Sequence, residues 1–342
     1  MLDGTELSLQ KSLEELNSFT DLSDLNINNA KRQVLWIGSK RFSEEKLCLS
    51  WDLTWAKHSN YLGIDFDIDL SKMIKINFEK KIIEIKSLLK QWSKRQLTPI
   101  GCFTVIQILI LPKLVHLFTT LLYPGDKILK QFNDMLFQFV WQGPIGKIKK
   151  EVLVKDYTNG GLKMINLTAF INSLKSTWIH RAIHSETIKH NMESNHVDFE
   201  LLTTAGEKHI EISIVNCKNE FWKHVLHAWQ YILSKTTTDD SWASCFLHNS
   251  IWYNNKLKIN HTCFFYKDWY RKGVRIVNDL ARENGEFYSF EEFERKYNIN
   301  TNFLKYHRFI SCLKKYSKKF NRDVSKIEYP YIARNIEICV QY

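Results

Sequence analysis

The stretch from Lys72 to Pro124 reads KMIKINFEKKIIEIKSLLKQWSKRQLTPIGCFTVIQILILPKLVHLFTTLLYP. In its first half, apolar residues recur every three or four positions. These residues are Phe78, Ile82, Ile85, Leu89 and Trp92. Such spacing places them on one side of a helix, so the sequence predicts an amphipathic helix that packs against the rest of the protein along this side.

The other sides of this predicted helix are basic, with Glu79 and Glu84 as the acidic residues between positions 72 and 95. The basic residues are Lys72, Lys75, Lys80, Lys81, Lys86, Lys90, Lys94 and Arg95. A helix that packs on one side and is basic on the others is suited to contact a polyanion. A solvated, lysine-rich surface helix is the alternative that fits the same pattern.

The second half of the stretch predicts another helix. Thr98-Pro99 supplies an N-cap and a first-turn proline. Pro112 is expected to kink or break this helix near its middle, and Pro124-Gly125 is expected to end it. The longest apolar run, Phe103 to Leu111, is too short to span a bilayer and contains Gln107, so no membrane segment is expected.

The composition is that of a globular, basic protein. The chain has 342 residues, of which 44% are hydrophobic, so it can form two or more domains. Its formal charge of +11 favours a polyanionic partner, nucleic acid first and an acidic membrane second. Seven scattered cysteines without a C-x-x-C motif predict no zinc site and suit a reducing compartment. The N-terminus has no apolar signal-peptide core, so we expect an intracellular protein of the cytoplasm or nucleus.

The chain as a whole is predicted to be mainly α with a small β element. Residues 5–24 have helical spacing, whereas Val34 to Ile37, Trp51 to Trp55 and Tyr61 to Ile64 suit short strands. Helical patterns dominate after residue 70. The polar, weakly periodic segment from Ser185 to Ile214 is expected to mark a domain boundary.

The residues taken alone offer no active site. No glycine-rich phosphate loop, H-E-x-x-H or G-x-S-x-G motif occurs in the sequence. His180 and His184 are four residues apart without a carboxylate to complete a metal site. Asp239-Asp240 lies in a polar loop, and the alternating Asp65, Asp67 and Asp69 are expected to be solvated charges at a strand edge. No catalytic residue and no metal ligand is therefore predicted.

Several segments resemble, in order and spacing, the reverse transcriptases of non-LTR (LINE-type) retrotransposons. Residues 25–31 stand where the family has "LKINxxK", and Ser59 to Ile64 looks like its "xxYLGI" primer-grip hairpin. Residues 92–114 are similar to the family's thumb pattern "W..R.LT.IGK..VIK.LILPKL". Gly160 to Asn166 is similar to "GGLxMxxL", and residues 252–297 look like the post-thumb region.

This resemblance implies a division into a partial palm with a primer-grip-like hairpin (1–70), a thumb-like helical domain (71–184) and a post-thumb helical region (185–342). It also implies that RNA and DNA, as template and primer, are the partners, with the thumb contacting phosphates and the hairpin placing the primer end. The implied contact residues are Tyr61, Leu62, Gly63, Lys80, Lys81, Lys86, Lys90, Lys94, Arg95, Lys147, Lys149 and Lys150.

The departures from the family pattern are as informative as the matches. The family polymerises through two metal ions held by palm aspartates, and no residues here match that motif. Cys102 and Gln107 stand where the family often has lysine. We therefore expect a fragment that binds nucleic acid but does not copy it, with no cofactor in this chain and magnesium only in the full-length polymerase. The alternatives are a truncated gene model of an active RNA-directed DNA polymerase, and a basic helical adaptor or membrane-surface protein.

Overall fold

A computed structural model shows a mainly α-helical protein with a small β element, as the sequence predicts. The chain has two compact units, Met1–Leu153 and Val154–Tyr342, which we describe separately. The structure describes residues 5–23, 25, 28, 32–38, 42, 53–142, 148–236 and 246–320, with side chains up to residue 317.

The described residues of the first unit form two pairs of short strands and six helices. Strands β1 and β2 pair in parallel, and β3 and β4 pair antiparallel. The strands are β1 (Gln33–Val34), β2 (Thr54–Trp55), β3 (His58–Tyr61) and β4 (Ile64–Asp67). The helices are α1 (Glu6–Ser23), α2 (Leu70–Ser93), α3 (Pro99–Val105), α4 (Leu111–Thr120), α5 (Asp126–Trp141) and α6 (Lys150–Leu153).

Strands β3 and β4 form a hairpin, as the resemblance implies for Ser59 to Ile64. The turn of this hairpin lies within Tyr61 to Ile64, where the residue pattern predicts a strand. Tyr61 pairs with Ile64 across a two-residue loop. Leu62 and Gly63 in this loop have φ angles of 51° and 79°. Positive φ at both positions is the backbone of the tightest hairpin turns, whose twist matches that of the paired strands. Glycine adopts this conformation without strain, which explains its place at the second position.

The apolar side of α2 forms the centre of the first unit. Its predicted core residues are buried apart from Trp92, which is half-buried. Phe78 is 0% exposed and packs against Phe118 of α4 and Phe132 of α5, with ring centroids 5.4 and 6.4 Å away. Phe118 and Phe132 also contact each other at 6.0 Å. Three helices are therefore joined through one aromatic cluster.

Of the kink or break predicted at Pro112, the break does not occur. A π-helical turn, Ile106–Ile110, joins α3 to α4, and the N–H of Leu111 donates to the carbonyl oxygen of Ile106, five residues back. Proline cannot donate a backbone hydrogen bond and its ring crowds the carbonyl four residues earlier, and the wider π turn accommodates both effects. The helix ends at Thr120, before the predicted Pro124-Gly125 stop. The N-terminal prediction is confirmed, because the Thr98 side chain accepts from the N–H of Gly101 at 3.2 Å.

One segment in the described part of the chain, Pro99–Thr120, is long and apolar enough to cross a membrane. Core helices of water-soluble proteins can satisfy the same criteria of length and composition. Here Leu114 and Phe118 are buried in the core of the first unit.

The second unit is built from eight helices and short 3₁₀ turns within its described ranges, 154–236 and 246–320. The 3₁₀ turns are Tyr157–Asn159, Phe246–His248 and Val277–Leu280. The helices are α7 (Leu167–Ile183), α8 (Glu186–Ser194), α9 (Phe199–Thr204), α10 (Glu207–Asn216), α11 (Glu220–Thr236), α12 (Lys267–Arg271), α13 (Phe290–Tyr297) and α14 (Phe303–Phe320).

Helices α8 to α10 occupy the segment where the sequence predicts a domain boundary. Met192 and Val197 in this segment are fully buried and belong to a core that α7 and α11 share. The polar composition of residues 185–214 therefore reflects short helices with few buried positions each. The division into three parts at residues 70 and 184 stays a prediction from the resemblance.

A second core in this unit surrounds Trp252. Its ring lies 5.9 Å from that of Phe309 and 6.3 Å from that of Trp269, and its Nε1 donates to the carbonyl oxygen of Val274 at 2.6 Å. The N–H of Gly206 donates to the carbonyl oxygen of Trp252 at 2.7 Å. A Cβ at Gly206 would lie 2.6 Å from Cα of Asn254, so this approach requires glycine.

We predict that Phe78→Ala lowers the free energy of unfolding by about 3–5 kcal/mol, because it empties the centre of the aromatic cluster. The matched control is Ile83→Ala on the same helix, where the side chain is 69% exposed. This control should change the free energy by less than about 0.5 kcal/mol. Urea denaturation followed by far-UV circular dichroism measures both. Equal effects of the two substitutions would contradict the packing described for α2.

Candidate nucleic-acid interface

Asn77 attaches the β3–β4 hairpin to α2. Its side-chain Oδ1 accepts from the N–H of Asp65 at 2.9 Å, and its Nδ2 donates to the carbonyl oxygen of Asp65 at 2.8 Å. The amide thus pairs with a strand residue as another strand would, and it is buried. Sequence reasoning missed this residue, although an amide directly before the core residue Phe78 is the signal that could have revealed it.

The three alternating aspartates have structural partners. Asp65 accepts from Asn60 Nδ2 at 2.7 Å and from Lys80 Nζ at 2.9 Å; these bonds, Asn60 first, lower the pKa of its carboxyl. Asp67 lies 3.6 Å from Lys72 and is only 11% exposed, so the expectation of a fully solvated charge is wrong for this residue. Asp69 is the N-cap of α2. Within the described residues, no group of three His, Cys, Asp or Glu side chains could hold a metal ion.

One flank of α2 carries lysines that are already ion-paired. Lys80 Nζ is 2.9 Å from Asp65, and Lys81 Nζ is 2.7 Å from Glu84. Lys113 of α4 contacts Glu84 at 2.7 Å as well, and the pKa of Glu84 is lowered, first by the bond from Lys113 and then by that from Lys81. A shallow cavity of about 310 Å³ adjoins this ion-pair group, with Ser87 and Gln91 in its lining. Lys80 and Lys81, both predicted contacts, therefore have their charges compensated within the unit.

The opposite flank of α2 carries Lys86, Lys90 and Lys94, all exposed. Within the described part of the chain, none of the three has a carboxylate within 4 Å. Their four-residue spacing places them about 6 Å apart along the helix, over a total of about 12 Å. That length equals the axial rise of about three to four phosphates of one nucleic-acid strand. We call these three residues the lysine row.

The remaining predicted basic residues lie in different settings. The Arg95 guanidinium lies 4.5 Å above the Trp92 ring, at the end of α2. Lys150 is 3.6 Å from Asp134 and 4.2 Å from the Phe137 ring centroid. Lys149 is exposed, and Lys147 lies outside the described residues.

The hairpin attachment at Asn77 and the first residue of the lysine row, Lys86, lie on different sides of α2. The hairpin docks at Asn77 and Lys80, and Lys86 lies nine residues beyond Asn77, roughly 180° around the helix axis. Tyr61 and Leu62 at the turn are 65% and 72% exposed. The hairpin turn and the lysine row are therefore two separate groups of predicted contacts on the first unit. The attachment of the hairpin at Asn77 fixes the position of one relative to the other.

The most strongly shifted titratable group lies in the second unit. Lys175 of α7 is 3% exposed, and burial lowers its pKa to about 7. Its Nζ lies 4.4 Å from the Phe221 ring centroid of α11. The rings of His180 and His184 contact each other at 4.9 Å. These groups lie in helix packing, and we assign no chemistry to them.

A search of models of known protein families finds no match to this chain. The resemblance to reverse transcriptases therefore rests on the sequence motifs alone.

We predict that Lys175→Met stabilises the protein, and more so at pH 6 than at pH 9.5. Because the pKa of this lysine is lowered from 10.5 to about 7 on folding, the cost of the buried charge grows as pH falls from 10.5 to 7 and is complete below pH 7. The gain should reach a few kcal/mol at pH 6, measured by urea denaturation at both pH values.

The control for this prediction is Lys218→Met, which removes an exposed ammonium from the same unit. Because this side chain is exposed, the substitution should change the free energy of unfolding by less than about 0.5 kcal/mol at either pH. A gain for Lys175→Met that is the same at both pH values would show that the lysine is charged equally in the folded and unfolded states.

Proposed function

We propose that this chain carries the thumb of a non-LTR retrotransposon reverse transcriptase, and that it binds template–primer nucleic acid through the lysine row. The observation that carries the proposal is the row itself. Three exposed lysines without carboxylate partners among the described residues follow one flank of a helix whose apolar side is anchored in an aromatic core. The motifs around α2 and α3, from Trp92 to Leu114, support the same assignment.

The chemistry of such a contact is electrostatic. An ammonium group on a phosphate gives affinity without sequence preference, and it releases counterions from the nucleic acid. The anchored side of α2 limits the conformational entropy that the row loses on binding. Lys80 and Lys81 should contribute less to the affinity than the sequence implies. Both lysines are ion-paired, and their carboxylate partners compete with phosphate.

The hairpin turn supplies the second contact of the proposal. Tyr61 and Leu62 are exposed at a turn that Asn77 holds rigidly to α2. In the resembling family this hairpin places the end of the primer. A rigid turn with an exposed ring can position a nucleotide end through its surface contacts, while the lysine row holds the backbone.

We predict that Lys86→Gln/Lys90→Gln weakens binding to a fluorescein-labelled primed RNA–DNA hybrid on the order of tenfold at 50 mM salt. Because two phosphate contacts are lost, the slope of log K against log salt should fall by about 2. Fluorescence anisotropy titrations at several salt concentrations measure both quantities.

The matched control is Lys80→Gln/Lys81→Gln, which removes the same charge from the ion-paired flank of the same helix. It should change the slope by less than 1. Equal losses for the two double variants would mean that net charge alone drives binding. Wild-type affinity that does not depend on salt would contradict the proposal.

We also predict that the chain extends no primer in the presence of Mg²⁺ and deoxynucleotides, because it lacks residues that match the family's catalytic aspartates. The measurement is a gel-based extension assay on the same hybrid, with a retroviral reverse transcriptase as positive control. Incorporation by the purified chain would favour an active polymerase with catalytic carboxylates that its motifs do not reveal.

A further inference from the structure

Helix α14 of the second unit is basic without compensation along its own length. Its eighteen residues, FLKYHRFISCLKKYSKKF, contain no aspartate or glutamate. Its basic residues are Lys305, Arg308, Lys314, Lys315, Lys318 and Lys319. Among the other described helices of ten or more residues, α4 and α7 also lack acidic residues, but they contain only one and two Lys or Arg residues.

From Tyr306 to Leu313, the apolar side of α14 packs in the Trp252 core. Tyr306, Phe309 and Leu313 are buried, and the Phe309 ring stacks on the Trp252 ring at 5.9 Å. The Tyr306 hydroxyl donates to the carbonyl oxygen of Tyr288 at 2.5 Å. The helix therefore cannot rotate, and its basic side is held toward water.

The basic side chains on this side are uncompensated. Arg308, Lys314 and Lys315 are exposed, and within the described residues none of them has a carboxylate within 4 Å. Lys305 is used differently, because its Nζ lies 3.8 Å from the Tyr266 ring centroid.

A neighbouring loop adds one further positive charge. Cys312 lies between Arg308 and Lys315 on the helix and is buried, and its Sγ donates to the carbonyl oxygen of Lys258 at 3.4 Å. Lys258 therefore lies beside residues 309–313 of α14, none of which is charged, and its side chain is exposed. We call Arg308, Lys314 and Lys315 of the helix, together with Lys258 of this neighbouring loop, the α14 surface.

We propose that the α14 surface binds the phosphate backbone of nucleic acid, as a second site separate from the lysine row. Four uncompensated cations on a rigid element attract a polyanion and gain by counterion release. A membrane fits less well, because a membrane-bound amphipathic helix buries its apolar side in lipid, and here that side is occupied by protein. The inference stands on the second unit alone and does not require the function proposed for the first.

Stoichiometry tests this proposal on the full chain. The probe is a labelled 12-base-pair RNA–DNA hybrid, titrated at a hybrid concentration well above its dissociation constant in 50 mM salt. The wild type should bind two hybrids. The triple variant Arg308→Gln/Lys314→Gln/Lys315→Gln should bind one hybrid. Its dissociation constant should be that of the remaining site at the lysine row.

The matched control removes three lysines of the same unit that are each paired with a glutamate three residues away: Lys189→Gln/Lys208→Gln/Lys223→Gln. It should still bind two hybrids. Thermal melts monitor folding of both triple variants. Should the first triple variant fail to fold, the single variants Lys314→Gln and Lys315→Gln replace it, and each should lower the salt slope of total binding by about 1.

The outcomes separate this inference from the proposed function. If Lys86→Gln/Lys90→Gln leaves two hybrids bound and the α14 triple variant leaves one, this inference holds and the role of the lysine row fails. A wild-type stoichiometry of one that the α14 variant does not change overturns this inference. Flotation with phosphatidylserine vesicles that depends on Arg308 and Lys315, without binding of the hybrid, would also overturn it in favour of a membrane.

Discussion

The packing of Phe78 against Phe118 and Phe132 is the contact on which the first unit depends. It joins α2, α4 and α5 at one point and thereby sets the rotation of α2 about its axis. That rotation decides which lysines face solvent and which face carboxylates.

A basic helix is a candidate polyanion surface only where its charges lack partners. By sequence, Lys80, Lys81, Lys86, Lys90 and Lys94 are equivalent. In the structure, Lys80 and Lys81 form ion pairs with Asp65 and Glu84, whereas the other three do not within the described residues. The same distinction identifies α14, because the helix contains no acidic residue and Arg308, Lys314 and Lys315 form no ion pair within the described residues. The two proposed binding surfaces therefore differ from the rest of the basic surface in the ion pairing of their cations, more than in net charge.

In the second unit, a segment of polar composition contributes residues to a buried core. Residues 185–214 look like a linker, yet three short helices bury Met192 and Val197 in one core with α7 and α11. Lys175 is buried in α7 at a cost that appears as its lowered pKa. A short helix contributes one or two core residues, which is too few to give a recognisable apolar periodicity. The burial of a lysine cannot be predicted from the sequence around it, because the hydrophobic surroundings come from other elements.

The sequence by itself determined the helical class, the bounds of α2 to within two residues and the cap at Thr98. These features follow from contacts between residues close in the chain, so local spacing and capping chemistry predict them. Only the tertiary structure decided that Asn77 attaches the hairpin, that a π turn carries the helix past Pro112, and that Lys86, Lys90 and Lys94 form no ion pair within the described residues. Each of these depends on which distant groups meet, and spacing along the chain carries no record of that.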